Sequence, residues 1–484
     1  MRDRRAPGRP RVIRRVLIAN RGEIAVRVIR TCERLGIETV LAASEADRRS
    51  LPARLADKTI VIGPASAAAS YLSTDAVVGA ALAARADAVH PGYGFLSENP
   101  ALARACEAAG VVFVGPGAQT LEAAGDKLAA REHAIAAGLP VLPGGLVGGK
   151  ARSPAAGAGS ANVACGTAEA LAASIGFPVL VKAAGGGGGR GLRVVRDPAA
   201  LAGAIAVASA EADAAFGDPR VYLERYVARA RHVEVQLLGD GGTVIHLGDR
   251  DCSVQRRYQK LIEEAPAPLL GGALREAMHD AALALGTRLG YRGLGTVEFL
   301  VDAGAGAFYF LEVNARIQVE HPVTEAVTGL DLVAEQIAVA EGRPVRLRQG
   351  EISLTGHAIE CRVNAEDPAD GFLPSPGTVT TAVFPASARA DTHIQDGEQV
   401  PPHYDSLLAK VIARGPDRAS ALNTLRRALE TTEIGGVRTN LRLHRELLAS
   451  QEFAAGAVDT GFLARWLEET PPSVQKNEKA ATGG

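Results

Sequence analysis

The chain has 484 residues, beyond the size at which a single hydrophobic core keeps growing, so roughly two to four domains are expected. Hydrophobic residues make up 47% and charged residues 22%, which excludes a mainly disordered chain. The formal net charge of −1 provides no global field for nucleic acid or an anionic membrane.

Five cysteines lie far apart without a CxxC pair, which reads as reduced thiols. The apolar run 16–19 is too short for a signal peptide, and no run approaches the ~18 residues of a membrane span, so a cytoplasmic protein is expected. Only eight of the 53 basic residues are lysine, and methionine occurs only as Met1 and Met278.

In chain order, residues 16–19 read as a strand. A helix over 23–35 follows, with Ile24, Val28 and Leu35 at helical spacing and Gly36 as its stop. Strand-like 39–43 and 59–62 come next, then a helix over 74–85. Asn99 and Pro100 form an N-cap and a first-turn proline, opening a helix that closes at Gly110 before strand 111–114. This rhythm predicts a parallel sheet covered by helices over about the first 120 residues. Residues 141–168, rich in Gly, Ala, Ser and Pro, read as a loop or insertion. From Phe177 strands dominate, helices resume at Leu274, and the polar residues from Pro471 onward are expected to be disordered.

Three glycine patterns compete as phosphate binders. Residues 144–150 fit G-x4-G-K, but Ala151 stands where a magnesium-binding hydroxyl would be needed, so the match is read as chance. Gly186, Gly188 and Gly191 fit G-x-G-x-x-G, yet a strand-like 192–195 follows instead of a helix, which rejects a dinucleotide fold. Strand 179–182, glycines 185–189 and strand 192–195 instead predict a hairpin whose bare backbone N–H groups close over phosphates. The competing reading is a merely floppy loop. Lys182 favours the first, because an ammonium in an apolar strand needs an anion. In a chain that otherwise prefers arginine, Lys127, Lys182 and Lys260 suit phosphate as compact charges.

Residues 295–301 and 308–314 flank a turn. Folded about residue 305, they set Glu298 directly opposite Glu312, an arrangement that is destabilising without a neutralising partner. Val297, Phe299, Val301, Tyr309, Leu311 and Val313 are expected on the core face, with Leu300 and Phe310 beside the carboxylates. Paired hard oxygens with Asn314 nearby suit Mg²⁺ or Mn²⁺ carrying nucleotide phosphates; the alternative is a solvated edge hairpin. If the extended chain continues, Arg316, Gln318 and Glu320 join the acidic face.

HPGYGFLSEN (90–99), KAAGGGGGRG (182–191), RDCSVQRRYQK (250–260), EEAPAP (263–268), LEVNARIQVEHPVTE (311–325) and GHAIECRVNAEDP (356–368) resemble biotin carboxylase, the ATP-grasp component of biotin-dependent carboxylases. The resemblance is collinear from about residue 16 to residue 467. It implies an α/β and α+β ATP-grasp fold in three parts: an N-terminal α/β domain (12–127), a glycine-rich lid (128–225), and an ATP-grasp core with a C-terminal domain (226–468). A disordered tail (469–484) would follow.

By the same resemblance, Lys127 and Lys182 contact ATP, with Gly188 and Gly189 over its phosphates. Glu224 reads the adenine, His232 and Gln255 sit near the ribose, and Arg225 and Tyr258 lie near the nucleotide. Glu298 and Glu312 bridge magnesium to the phosphates with support from Asn314. Lys260, Arg316, Gln318 and the Val319 backbone hold bicarbonate, which Glu320 deprotonates. Arg362 stabilises the biotin enolate, and Tyr93 and Asp405 line the biotin side.

The implied activity is ATP- and bicarbonate-dependent carboxylation of biotin through carboxyphosphate, as the first half-reaction of an acyl-CoA carboxylase, acetyl-CoA first among the acceptors. Propionyl-CoA, pyruvate or urea carboxylases, a non-biotin ATP-grasp ligase and a silent nucleotide-binding partner are the alternatives. Neither methionine neighbours a lysine, as the Met-Lys-Met of a carrier module requires, so biotin is expected on a separate carboxyl carrier protein alongside a carboxyltransferase. A homodimer is also implied. Tyr258, where the family usually has histidine, and Arg225, where lysine is common, depart from the pattern. Arg34 departs too, standing where an acidic interface residue is usual, although Arg30 matches. His90, His321, Cys252, Cys361, His246 and His357 are read as structural.

Overall fold

Val16, Leu17 and Ile18 are all fully buried, and alternate residues feed two different cores: Val16 and Ile18 one, Leu17 the other. Burial on both faces is what a parallel strand between helical layers requires. In the computed structural model, which describes residues 11–147, 167–183 and 192–470, this strand, β1 (Arg15–Ile18), is central. With β2 (Glu38–Ser44), β3 (Lys58–Gly63), β4 (Ala88–His90) and β5 (Val112–Phe113) it makes a parallel sheet of order β3-β2-β1-β4-β5. Helix Gly22–Leu35 ends where Gly36 turns left-handed (φ 69°). The Asn99 side chain accepts the N–H groups of Ala101 and Leu102 to cap helix Pro100–Ala108.

A second sheet takes the order β6-β9-β7-β8: β6 (Gly144–Leu146), β7 (Val179–Ala183), β8 (Arg193–Val195) and β9 (Val221–Arg225), all antiparallel. Leu171, Ala172, Leu201 and Ala208 from helices Ala168–Ile175 and Leu201–Phe216 pack against Val179, Val181 and Leu223. The expected β7–β8 hairpin forms, with Val179 opposite Val195. Its glycine crossing, including Gly188 and Gly189, lies outside the described residues, as does the tail from residue 471. The first part of the expected loop 141–168 is instead strand β6. A Cβ on Gly144 would sit 2.5 Å from the Leu223 carbonyl, so this glycine allows close strand approach.

The third sheet has eight antiparallel strands. Six are β10 (Ala230–Asp240), β11 (Val244–Arg256), β12 (Gln259–Ala265), β13 (Arg292–Asp302), β14 (Ala307–Asn314) and β15 (His357–Asn364). Their order is β14-β13-β10-β11-β12-β15, continued by Leu407–Gly415 and Arg389–Thr392. Helix Gly272–Arg288 covers one end through Met278, Ala282 and Leu285. Helix Arg418–Thr431 covers the other through Leu422, Leu425 and Leu429.

Glu298 does face Glu312, but the register shifts immediately afterwards, pairing Phe299 with Phe310 and Val301 with Phe308. This bulge corrects the expected faces. Phe310 joins the core with Val297, Phe299, Val301 and Val313, whereas Tyr309 and Leu311 leave it. Cys32, Cys106, Cys252 and Cys361 are free and buried. Among the described residues no helix is long and apolar enough to cross a membrane.

Candidate active site

The three sheets enclose a cleft of about 1070 Å³. Every predicted site residue lines it except Gly188 and Gly189, which fall outside the described residues. Glu312 and Glu298 line it, and they begin a row that runs on beneath its surface across the large sheet. Glu312 on β14 faces Glu298 on β13, Glu298 faces Glu234 on β10, and Glu234 faces Arg250 on β11.

Three carboxylates in one row need cations. Lys260 supplies one at the centre: its Nζ lies 2.6 Å from Glu234, 2.8 Å from Glu298 and 2.6 Å from Glu320. Arg250, wholly buried, supplies the second, 2.5 Å from Glu234 and bonded to Gln236 and Thr324. Burial would lower the Lys260 ammonium, but Cys252 and the carboxylates Glu234, Glu298 and Glu320 outweigh it, so the lysine stays charged. Burial would raise Glu298, yet Lys260 and His232 together hold it well below the carboxylate range. His232 Nε2 lies 2.8 Å from Glu298 Oε2, and burial of the ring is outweighed by that charge, so its pKa rises. Asn314 and Gln318 donate to the other Glu298 oxygen at 2.8 and 3.1 Å.

Glu312 is different. Burial first, and facing Glu298 second, push its carboxyl up, and Lys127 only partly offsets them. Facing carboxylates, Glu298 buried and Glu312 half-buried and short of positive charge, are a donor set that fits a divalent cation. Lys127 is lowered by burial, with Glu312 opposing. Lys182 Nζ meets Glu224 at 2.6 Å, the anion that an ammonium in an apolar strand requires. Gln255 is buried at the same end. Tyr258 is half exposed at the tight β11–β12 turn, where Arg257 and Tyr258 both have positive φ (47° and 68°).

Glu320 starts helix His321–Thr328 and is held from two sides. One oxygen accepts from Lys260, and the other accepts from Arg362 Nη2 at 2.9 Å. Burial would raise its pKa, but Lys260 and Arg362 outweigh it and keep Glu320 ionised. Cys252 Sγ is 3.9 Å from Glu320, and burial raises the thiol, which agrees with a packing role. Arg316 is drawn to Glu98 at 2.9 Å while also donating to Gln318 and Asn314. At the far end Tyr93 donates to Glu23, and Lys410 bridges Glu23 (2.9 Å) to the Val319 carbonyl (2.7 Å). Asp405 is exposed, 3.9 Å from Arg21.

Sequence reasoning assigned no role to Glu23, Glu98, Glu234, Arg250, Glu263 or Glu360. Glu234 carried a usable signal, a carboxylate between Val233 and Val235 in the strand-like run VEVQLL.

A small antiparallel sheet carrying a lysine beside a glycine run, folded over a larger sheet with facing glutamates, defines an ATP-grasp ligase. Residues 12–121 match the family described as "Biotin carboxylase, N-terminal domain", 150–348 "Carbamoyl-phosphate synthase L chain, ATP binding domain", and 360–465 "Biotin carboxylase C-terminal domain". The chain is 46% identical to a biotin carboxylase of Nostoc over 93% of its own length and 98% of that protein's. It is similar to the biotin carboxylase–β,γ-ATP complex of Campylobacter jejuni (TM-score 0.88, 43% identity, 94% of this chain and 99% of that one). It is also similar to the biotin carboxylase domain dimer of Hydrogenobacter thermophilus 2-oxoglutarate carboxylase with MgADP, ADP and bicarbonate (TM-score 0.88, 41% identity, 96% and 100%). The chain belongs to the biotin carboxylase family.

Proposed function

We propose that the chain uses ATP and bicarbonate to carboxylate biotin presented by a separate carrier protein. The observation that carries this reading is the position of Glu320, a carboxylate between Lys260 at 2.6 Å and Arg362 at 2.9 Å, joined through Lys260 to the glutamate row.

ATP would lie between the small and large sheets. Lys127, Lys182, Gly188 and Gly189 would hold its phosphates, with Glu224, Arg225, His232, Gln255 and Tyr258 around the nucleoside. Glu298 and Glu312, with Asn314, would hold Mg²⁺, which offsets phosphate charge when bound. Lys260, Arg316, Gln318 and the Val319 backbone would bind bicarbonate, and its anion would displace carboxylates from Lys260 and Arg316. Bicarbonate is a poor nucleophile, so Glu320 takes its proton as an oxygen attacks the γ-phosphorus. That forms carboxyphosphate and releases ADP. Carboxyphosphate then gives CO₂ and phosphate, phosphate removes the ureido N–H proton, and the nitrogen attacks CO₂. Arg362, always charged, would stabilise the ureido oxygen, with Tyr93 and Asp405 beside it.

A homodimer is proposed, with a carboxyltransferase as the second partner. That partner would choose the acyl acceptor, for which acetyl-CoA is proposed. ADP release should require bicarbonate and rise on adding free biotin; no dependence on either overturns the proposal.

A further inference from the structure

Glu263 on β12 stands directly opposite Glu360 on β15, and both are fully buried. Facing carboxylates, with Cβ atoms about 5 Å apart, repel unless something neutralises them. Among the described residues, none of their four oxygens accepts a well-aligned hydrogen bond. Arg362 Nε lies 2.5 Å from Glu263 Oε1, yet out of line for one.

The surrounding charge does not supply the deficit. Lys260 on the same strand, Arg362 on β15 and Lys410 on the strand Leu407–Gly415 face the pair. So do Glu320 and the thiols of Cys252 and Cys361, with Glu23 and Asp391 beyond Lys410. His321 stays neutral, because burial and the nearby cations lower its pKa. With Arg250 and His232 included, five cations answer six carboxyls: Glu23, Glu234, Glu263, Glu298, Glu320 and Glu360.

We propose that Glu263 and Glu360 share one proton, and that the pair is a positioning unit for Arg362, holding its guanidinium between Glu263 and Glu320. The shared O–H gives one carboxyl a donor and the other an acceptor, and leaves a single negative charge against Arg362. Burial pushes Glu263 up to about 7 and Glu360 well above its usual range, which agrees with a retained proton. Loss of that proton would set a second negative charge behind Arg362 and weaken its field at a developing oxyanion. This consequence rests on the proposed biotin chemistry, whereas the shared proton does not.

Glu360→Gln keeps the shape of one partner and removes its titration. Infrared spectra of the ligand-free protein at pH 7.5 should show the carbonyl stretch of a protonated carboxyl group that is absent from Glu360→Gln. The ratio of biotin-dependent kcat at pH 9.5 to that at pH 7.5 should be at least threefold higher in the variant than in the wild type. A stretch that persists unchanged, or an unchanged kcat ratio, overturns the proposal. A wild type without biotin-dependent ADP release defeats the proposed function instead, while the infrared comparison still decides the proton. Glu263→Gln, read in the same two ways, replaces Glu360→Gln if that variant fails to fold.

Discussion

Glu320 meets two cations, and each contact restrains its basicity. Lys260 and Arg362 keep it ionised, the state needed to accept a proton, but they also make it a weak base until bicarbonate draws Lys260 away. Glutamine preserves its size and an oxygen for either cation but cannot take the proton. Glu320→Gln is therefore expected to lower kcat by about 100-fold or more. ATP affinity should change by less than about threefold, because Glu320 lies beyond the proposed phosphate ligands. Single-turnover ADP release and an equilibrium nucleotide titration separate the two; turnover within tenfold of wild type would exclude Glu320 as the base. Residue types announced much of this centre. A lysine in an apolar strand and glutamates mirrored about a turn are local patterns, so Lys182, Glu298 and Glu312 were legible. Glu234 and Arg250 were harder to assign, because they act through cross-strand pairing with each other and with Glu298.

Strands set where these side chains point, and the two misread segments share a cause. The β13–β14 mirror held as far as Glu298 and failed one residue later. A bulge is a choice between near-equal pairings, decided here by Phe308 and Phe310 packing into the core with Phe299. Residues 144–146 look like loop because glycine disfavours strands, yet β9 approaches too closely for any side chain at Gly144. Glu224 lies directly opposite Gly144 in that pairing. Gly144→Ala should therefore push β9 outward and disturb the Lys182–Glu224 pair without touching Glu320. We expect KM for ATP to rise several-fold with kcat changed less than twofold, and amide exchange over 221–225 to quicken. Unchanged exchange there would show that the close approach is not needed.

At the scale of the molecule, the helix Gly22–Leu35 ties the parallel sheet to the large one through charge. Glu23 meets Lys410, and Arg27 meets Glu325 at 2.6 Å and Asp331 at 2.8 Å. Arg34 also meets Asp331, within this same chain. Asp331 in addition accepts the Ala334 N–H to cap helix Leu332–Ala340. Burial would raise its carboxyl, but Arg27, aided by Arg34 and the cap, outweighs burial and lowers it to about 2. The unfolded value is about 3.9, so folding favours the ionised form. A depressed pKa gives stability that is fully present above the unfolded value and is lost as pH falls through the folded one. Asp331→Asn keeps the cap and removes the charge. It should destabilise the protein by roughly 2 kcal/mol at pH 7. The gap should hold down to about pH 5 and narrow steadily below about pH 4 as the wild-type carboxyl takes up its proton. Urea unfolding of both proteins across that range measures it, and a gap that is absent at pH 7, or that widens on acidification, would mean that Asp331 does not carry this link.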